Sequence, residues 1–278
     1  MPKACVWQAE ARPSTLDLRP STVCAFTLIE MLVVISILGI LAALTVPALK
    51  NLGKSNAATS ASRQLLDAVG HARALAIGNR TTVYMVFVPT NFWNGLSAAQ
   101  RNMPATTNLC DKQLSGYTFI ACGAAGDQPG QHAWHYLQPW QSLPEGIFIA
   151  PWKFVPPGSP PTVIKDPVSG QTLFNVYGFA TNAVPFPTAD SSLAVLPSVA
   201  FNYLGQLTFD GVNLAGSDEY IPLERGSLLP AMNPDKTFQF NSPLVSEIPP
   251  GNSSSSAYEI VDVDPLTGRA TLRYQKVQ

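Results

Sequence analysis

Several stretches carry residue types that could bind a metal or do acid–base work. His132 and His135 stand three apart in HAWH (132–135). On a helix that spacing would share one face, but in the strand expected here it puts the two rings on opposite faces, so no metal site is predicted. His71 reads as an ordinary helix residue. Asp262 and Asp264 alternate in DVDPLTG (262–268) as calcium-loop ligands do, yet the next Asp or Asn and the distant bidentate Glu are missing. FDGVNLAGSDEY (209–220) offers Asp210, Asn213, Asp218 and Glu219, oxygen ligands that suit calcium. Solvated turn carboxylates are the preferred reading of that set. No G-x-S-x-G elbow, phosphate loop, H-E-x-x-H or Ser-His-Asp order is visible. The expectation is a chain without catalysis, metal or cofactor.

The four cysteines divide by position: Cys5 and Cys24 near the start, Cys110 and Cys122 in a loop-rich stretch. The last two are compatible with a small disulfide loop in an oxidising compartment. Charged residues make up 13% of the 278, the net charge is −1, and no basic clustering suggests a nucleic-acid surface. The apolar fraction of 46% permits a sizeable core.

One further acid stands apart. Glu30 lies in CAFTLIEMLVVISILGILAALTVPALK (24–50), with no other charge before Lys50. From Met31 to Leu49 no residue is charged, and as a helix that run would cover ~28 Å, about one hydrocarbon core. Backbone groups in lipid must be satisfied internally, which requires the helix. Pro47 should bend or loosen it. A buried core helix is a poor account of a run this long and apolar. The remaining readings are a secretory signal cut near Ala42 or Ala43 and an anchor that stays. Basic residues flank both sides, so orientation is not set by charge.

Behind the run, Ala58, Ser62, Leu65, Val69, Ala72 and Ala76 recur at helical spacing, with Leu66 and Leu75 broadening the stripe. Gly53 is a possible interruption and Gly78-Asn79 a stop. A continuous helix from Phe26 to Ile77 would span ~78 Å. Strands are expected at 81–88, 116–121, 133–137, 146–150, 198–209 with a turn at YLGQ (203–206), and 219–223. A hairpin is expected over 258–277, turning at DPLTG. VPPGSPP (155–161) and PPGNSSSS (249–256) read as loops. Helix first and strands after predict an α+β fold: a long N-terminal helix packed on a mostly antiparallel β-sheet domain.

Residues 25–49, AFTLIEMLVVISILGILAALTVPAL, closely resemble the N-terminus of type IV pilins and type II secretion pseudopilins. The pattern is a small residue, Phe-Thr-Leu-Ile-Glu, and about twenty apolar residues in register. The resemblance implies cleavage by a prepilin peptidase between Ala25 and Phe26 and N-methylation of Phe26. Ala25 departs from the family's usual glycine. It also implies an assembly role for Glu30, whose carboxylate would pair with the amino terminus of a neighbouring subunit's Phe26. Pro47 falls where many pilins carry a helix-bending proline.

Later segments are similar to the GspH/FimT-like minor pseudopilins. The matching positions are Ala68, Ala72, Arg73, Ala76 and Ile77; Leu143, Pro144, Gly146 and Ile147; Phe201, Gly205 and Phe209; and Gly268-Arg269. Stretches 89–115 and 151–197 look like loop insertions. Some pseudopilins bind calcium in loops such as 209–220. The implied organisation is a leader over 1–25, a transmembrane and filament-core helix over 26–49, an amphipathic helix over 50–79 and a β-rich head over 80–278. The implied role is a minor pseudopilin held in the inner membrane, N-terminus cytoplasmic and head periplasmic. Its expected partners are other pseudopilin or pilin subunits, the prepilin peptidase, an inner-membrane assembly platform and membrane lipid, with no nucleic acid. The alternatives are a minor type IV pilin in adhesion or DNA uptake, and a secreted binding protein or enzyme.

Overall fold

The computed structural model describes residues 27–123, Asp127, 133–166, 169–250 and 259–274; the side chains of 42–56 and of Tyr274 lie outside it. The chain divides into two compact units, Met1–Lys50 and Asn51–Gln278.

One helix, α1, runs over Leu28–Asn79. Gly53 does not interrupt it, and Pro47 remains inside it, though Pro47's surroundings lie outside the described side chains. Its end is a Schellman cap. The N–H of Arg80 donates to the carbonyl of Ile77 and that of Thr81 to Ala76. Arg80 takes the left-handed conformation such a cap needs, at φ 52°. The helix thus ends at Asn79, within the expected stop at Gly78-Asn79, with the left-handed residue just after it.

In the second unit the predicted stripe is the buried face of α1. Ala58, Ser62, Leu65, Val69, Ala72 and Ala76 are each at most 3% exposed, and Leu66 and Leu75 are partly buried beside them. The many alanines let the helix axis approach the sheet closely. The strands opposite are β1 (Val83–Phe87), β2 (Gly116–Cys122) and β9 (Leu193–Phe201), which contribute Val83, Met85, Phe87, Phe119, Val199 and Phe201. β1 lies at the centre, antiparallel to both neighbours, with Met85 opposite Phe119 and Val199. β3 (Trp134–Tyr136) and β4 (Gln141–Ser142) both pair with β2, while β8 (Ala180–Pro185) and β10 (Leu207–Thr208) both pair with β9.

A second sheet is built on β11 (Glu219–Leu229). Its partners are β13 (Glu259–Val263), β12 (Leu244–Glu247) and β5 (Ile147–Ile149), and β14 (Ala270–Tyr274) closes the predicted hairpin. Ile221, Leu223, Val261 and Val263 join the same core as α1. β6 (Thr162–Lys165) and β7 (Thr172–Val176) form a separate hairpin, which packs Ile164 and Val176 on Ile260. Every strand pairing described is antiparallel.

The expected insertions are not plain loops. Stretch 89–115 holds two single-turn helices, α2 (Ala98–Arg101) and α3 (Pro104–Thr107). It supplies Phe92, Trp93, Leu96 and Leu109 to a second core on the other face of the first sheet, against Val86, Ile120, Val184 and Leu196. Stretch 151–197 holds a 3₁₀ turn (Pro151–Phe154) and strands β6, β7, β8 and the start of β9. Both were read as loops because neither carries a long periodic run; their order comes from what they cover.

Candidate functional site: the exposed helix and its clasp on the head

Among the described residues the first turns of α1 are exposed. From Leu28 to Leu41 the large apolar side chains are 43% to 84% exposed and face all round the helix. A helix apolar on every side is covered by lipid or by other helices. Among the described residues no helix is long and apolar enough to cross a membrane. Described side chains in this run end at Leu41, and the remainder to Leu49 lies outside them.

Glu30 sits in the first turn and is exposed. Its backbone N–H donates to Thr27 Oγ1 at 3.2 Å, and Met31 N–H to the Thr27 carbonyl at 3.2 Å. Thr27 therefore caps the helix, and Thr27-Leu28-Ile29-Glu30 is the S/T-x-x-E arrangement of a capping box. The carboxylate also lies at the positive end of the helix dipole. Sequence reasoning missed this local task of Glu30, although the four-residue pattern was there to find. Ala25 and Phe26 lie outside the described residues, so the processing point is not part of the geometry.

At the other end of α1, three of the four weak sequence matches meet. Arg73 Nε donates to the Thr267 carbonyl at 2.7 Å, across 194 positions of chain. Gly205, at φ +78°, lies against both Ile77 and Arg73, where a Cβ would come within 2.7 Å of Ile77 Cδ1. Gly268, at φ +62°, lies so close to Gly205 that a Cβ would sit 2.0 Å from its carbonyl oxygen. These glycines are required both by backbone conformation and by space. Leu143, Gly146 and Ile147 belong instead to the approach to β5, where the Gly226 N–H donates to the Gly146 carbonyl. Phe209 is exposed.

The other candidates have different employment. Asp210 accepts from the backbone N–H groups of Val212 and Asn213 and from Asn213 Nδ2, and these bonds hold its carboxyl below the usual carboxylate range. Asp218 accepts from the Tyr220 hydroxyl. Glu219 pairs with Lys153. Asp264 closes the β13–β14 turn by accepting from Leu266 and Thr267. His135 Nε2 contacts Asp127 Oδ2 at 2.9 Å, and His132 lies outside the described residues. Among the described residues no group of three or more His, Cys, Asp or Glu could hold a metal ion.

Cys110 and Cys122, whose spacing is compatible with a small disulfide loop, are free cysteines in the structure. Cys110 is buried in the turn leading to the start of β2, whereas Cys122 ends that strand. Burial, and then Asp111, pushes the Cys110 thiol up to about 11.

Two buried charges in the head were not foreseen. Lys153 is 1% exposed; its Nζ pairs with Glu219, donates to the Tyr177 carbonyl at 2.7 Å and lies 4.6 Å from the centre of the Phe179 ring. Burial lowers the Lys153 pKa and raises that of Glu219, each opposed by the partner's charge. Glu224, also 1% exposed, accepts from Trp152 Nε1 at 3.2 Å and is hydrogen-bonded to Glu247. Burial first, then the Glu247 charge, pushes its pKa up to about 8.

The exposed, mostly apolar leading turns of α1, with Glu30 in the first turn, coincide with a known sequence motif that supports a type IV pilin-like protein. The prokaryotic N-terminal methylation motif matches residues 21–46, a stretch that takes in Thr27, Glu30 and the exposed run. That motif implies processing by a prepilin peptidase and assembly with other pilin subunits. No curated protein and no solved structure matches the chain.

Proposed function

We propose that the chain is a minor pseudopilin of a type II secretion-like system, a structural subunit without catalysis of its own. It is inserted in the inner membrane with its N-terminus cytoplasmic and its head periplasmic. The peptidase cuts between Ala25 and Phe26, Phe26 is methylated, and the subunit passes from lipid into a short periplasmic filament that drives protein export. The single observation behind this reading is the exposed apolar helix with one acid in its first turn, in register with the methylation motif. In lipid that acid is costly unless it meets a cation, and the new amino terminus of a neighbouring subunit is the cation processing supplies.

N-terminal sequencing of the mature protein tests the processing. The expected start is methyl-Phe26; a start after Ala42 or Ala43 would make the chain a secreted protein instead. Glu30→Leu should leave membrane insertion intact and reduce incorporation into the filament at least about tenfold, ~1.4 kcal/mol of lost pairing. Crosslinking of assembled subunits measures it, and normal incorporation would remove the role. Deleting the gene separates the finer readings. Loss of protein export supports the pseudopilin, and loss of adhesion or DNA uptake with export intact supports a minor type IV pilin.

A further inference from the structure

Lys153 and Glu219 meet inside the head in a contact unlike an ordinary salt bridge. Lys153 lies in the 3₁₀ turn Pro151–Phe154, and Glu219 opens β11. The lysine Nζ stands 2.5 Å from Glu219 Oε1, with the Lys153 side chain 1% exposed. That oxygen is buried and accepts no hydrogen bond, so the close approach is not aligned as one. The amine donates instead to the Tyr177 carbonyl at 2.7 Å. The Phe179 ring covers it at 4.6 Å and is itself in contact with the rings of Phe87 and Phe154. We propose that Lys153 and Glu219 condense to an isopeptide bond, an amide between Nζ and Cδ that staples the 3₁₀ turn to β11. The bond forms within one head and is independent of the filament reading.

The chemistry needs only the two side chains. A proton passes from Nζ to the carboxylate, giving a neutral amine beside a carboxylic acid. Apolar surroundings favour that neutral pair, and burial drives Lys153 and Glu219 toward it from both sides, lowering the one pKa and raising the other. Nζ then attacks Cδ. The C–N bond forms, the C–OH bond breaks, and the hydroxyl leaves with a proton from the nitrogen as one water. Nothing is oxidised or reduced. Groups held in contact react as though at very high concentration, on the order of 10⁵–10⁸ M for well-oriented pairs. The water has somewhere to go, because both residues line a cavity of about 300 Å³ with Pro157, Gly158, Phe209 and Gly216. The amide keeps one N–H, enough to preserve the bond to the Tyr177 carbonyl. It also replaces two buried charges with a neutral group, which removes their desolvation cost. Chains that have not reacted retain the ion pair.

The full chain, purified in detergent and incubated folded, is then denatured, weighed by electrospray mass spectrometry and digested with trypsin. A species lighter than the unlinked chain by one water should appear and grow with incubation. Trypsin should spare Lys153 in that species and release a branched peptide that joins the Lys153 and Glu219 segments. Lys153→Arg keeps the positive charge but has no primary amine, and Glu219→Ala has no acyl carbon; neither should show the loss or the branch. The wild-type masses decide the matter even where a variant fails to fold. Full mass after prolonged incubation, with trypsin cleaving completely after Lys153, overturns the proposal. So does a loss of water that persists in Lys153→Arg, or a branch that joins Lys153 to a residue other than Glu219.

Discussion

Lys153 and Glu219 illustrate why a buried ion pair is held by its surroundings. Lys153 is removed from water and Glu219 largely so, and their attraction offsets a desolvation cost that falls mostly on the lysine. Lys153→Ala should therefore cost about 3–5 kcal/mol in urea unfolding, because it leaves Glu219 buried and unpaired. The double change Lys153→Met with Glu219→Leu should recover most of that loss; if the double is as unstable as the single, the cost belongs to packing instead. Glu224 gives a pH dependence. Its folded-state pKa of about 8 lies above the ordinary 4.5, so the folded state holds the proton more tightly than the unfolded chain. Stability should fall as pH rises from about 4.5 through about 8 and level off above that window. Glu224→Gln should flatten this slope, measured as urea midpoints between pH 5 and pH 9. An unchanged slope would assign it to other groups.

At the scale of elements, the cap of α1 is the clearest compromise. Arg80 occupies the left-handed position that helices usually give to glycine. Arg80→Gly relieves that strain and should raise stability by about 0.5–1 kcal/mol, read from the thermal midpoint; a fall would show that the Arg80 side chain contributes more than its backbone costs. The regular elements were legible because they are periodic. α1, β1, β2, β3, β5 and the β13–β14 hairpin fall where the pattern of apolar residues puts them. β8 was missed because ATNAVP alternates Asn and Pro with small residues and shows no apolar face of its own. β9 begins at Leu193, five residues before the expected Ser198, and carries Pro197 inside it. Pro222 likewise lies inside β11, where its carbonyl accepts from Ala150. These strands exist because a neighbour supplies the pairing, which no local window contains.

For the whole molecule, the division at Lys50 separates two kinds of burial. Asn51–Gln278 contains its own core, with Leu65, Val69, Met85, Phe119, Phe201 and Val261 all at most 1% exposed. A chain beginning at Asn51 should remain in aqueous solution and unfold in one cooperative transition, followed by circular dichroism and sedimentation. A broad transition or aggregation would mean that the head requires the preceding helix. The full chain should need lipid or detergent, because the large apolar side chains of Leu28–Ile40 are exposed among the described residues.

The sequence by itself determined the helix, its apolar leading half and striped following half, the antiparallel character of the strands and the methylation motif, since each rests on local periodicity or on a short run in register. Only the tertiary structure decided that Arg73, Gly205 and Gly268 form one clasp, that stretch 89–115 roofs the far face of the first sheet, and that Lys153 faces Glu219. Those relations join residues tens to nearly two hundred positions apart, and a local pattern holds no record of which distant side chain will share its burial.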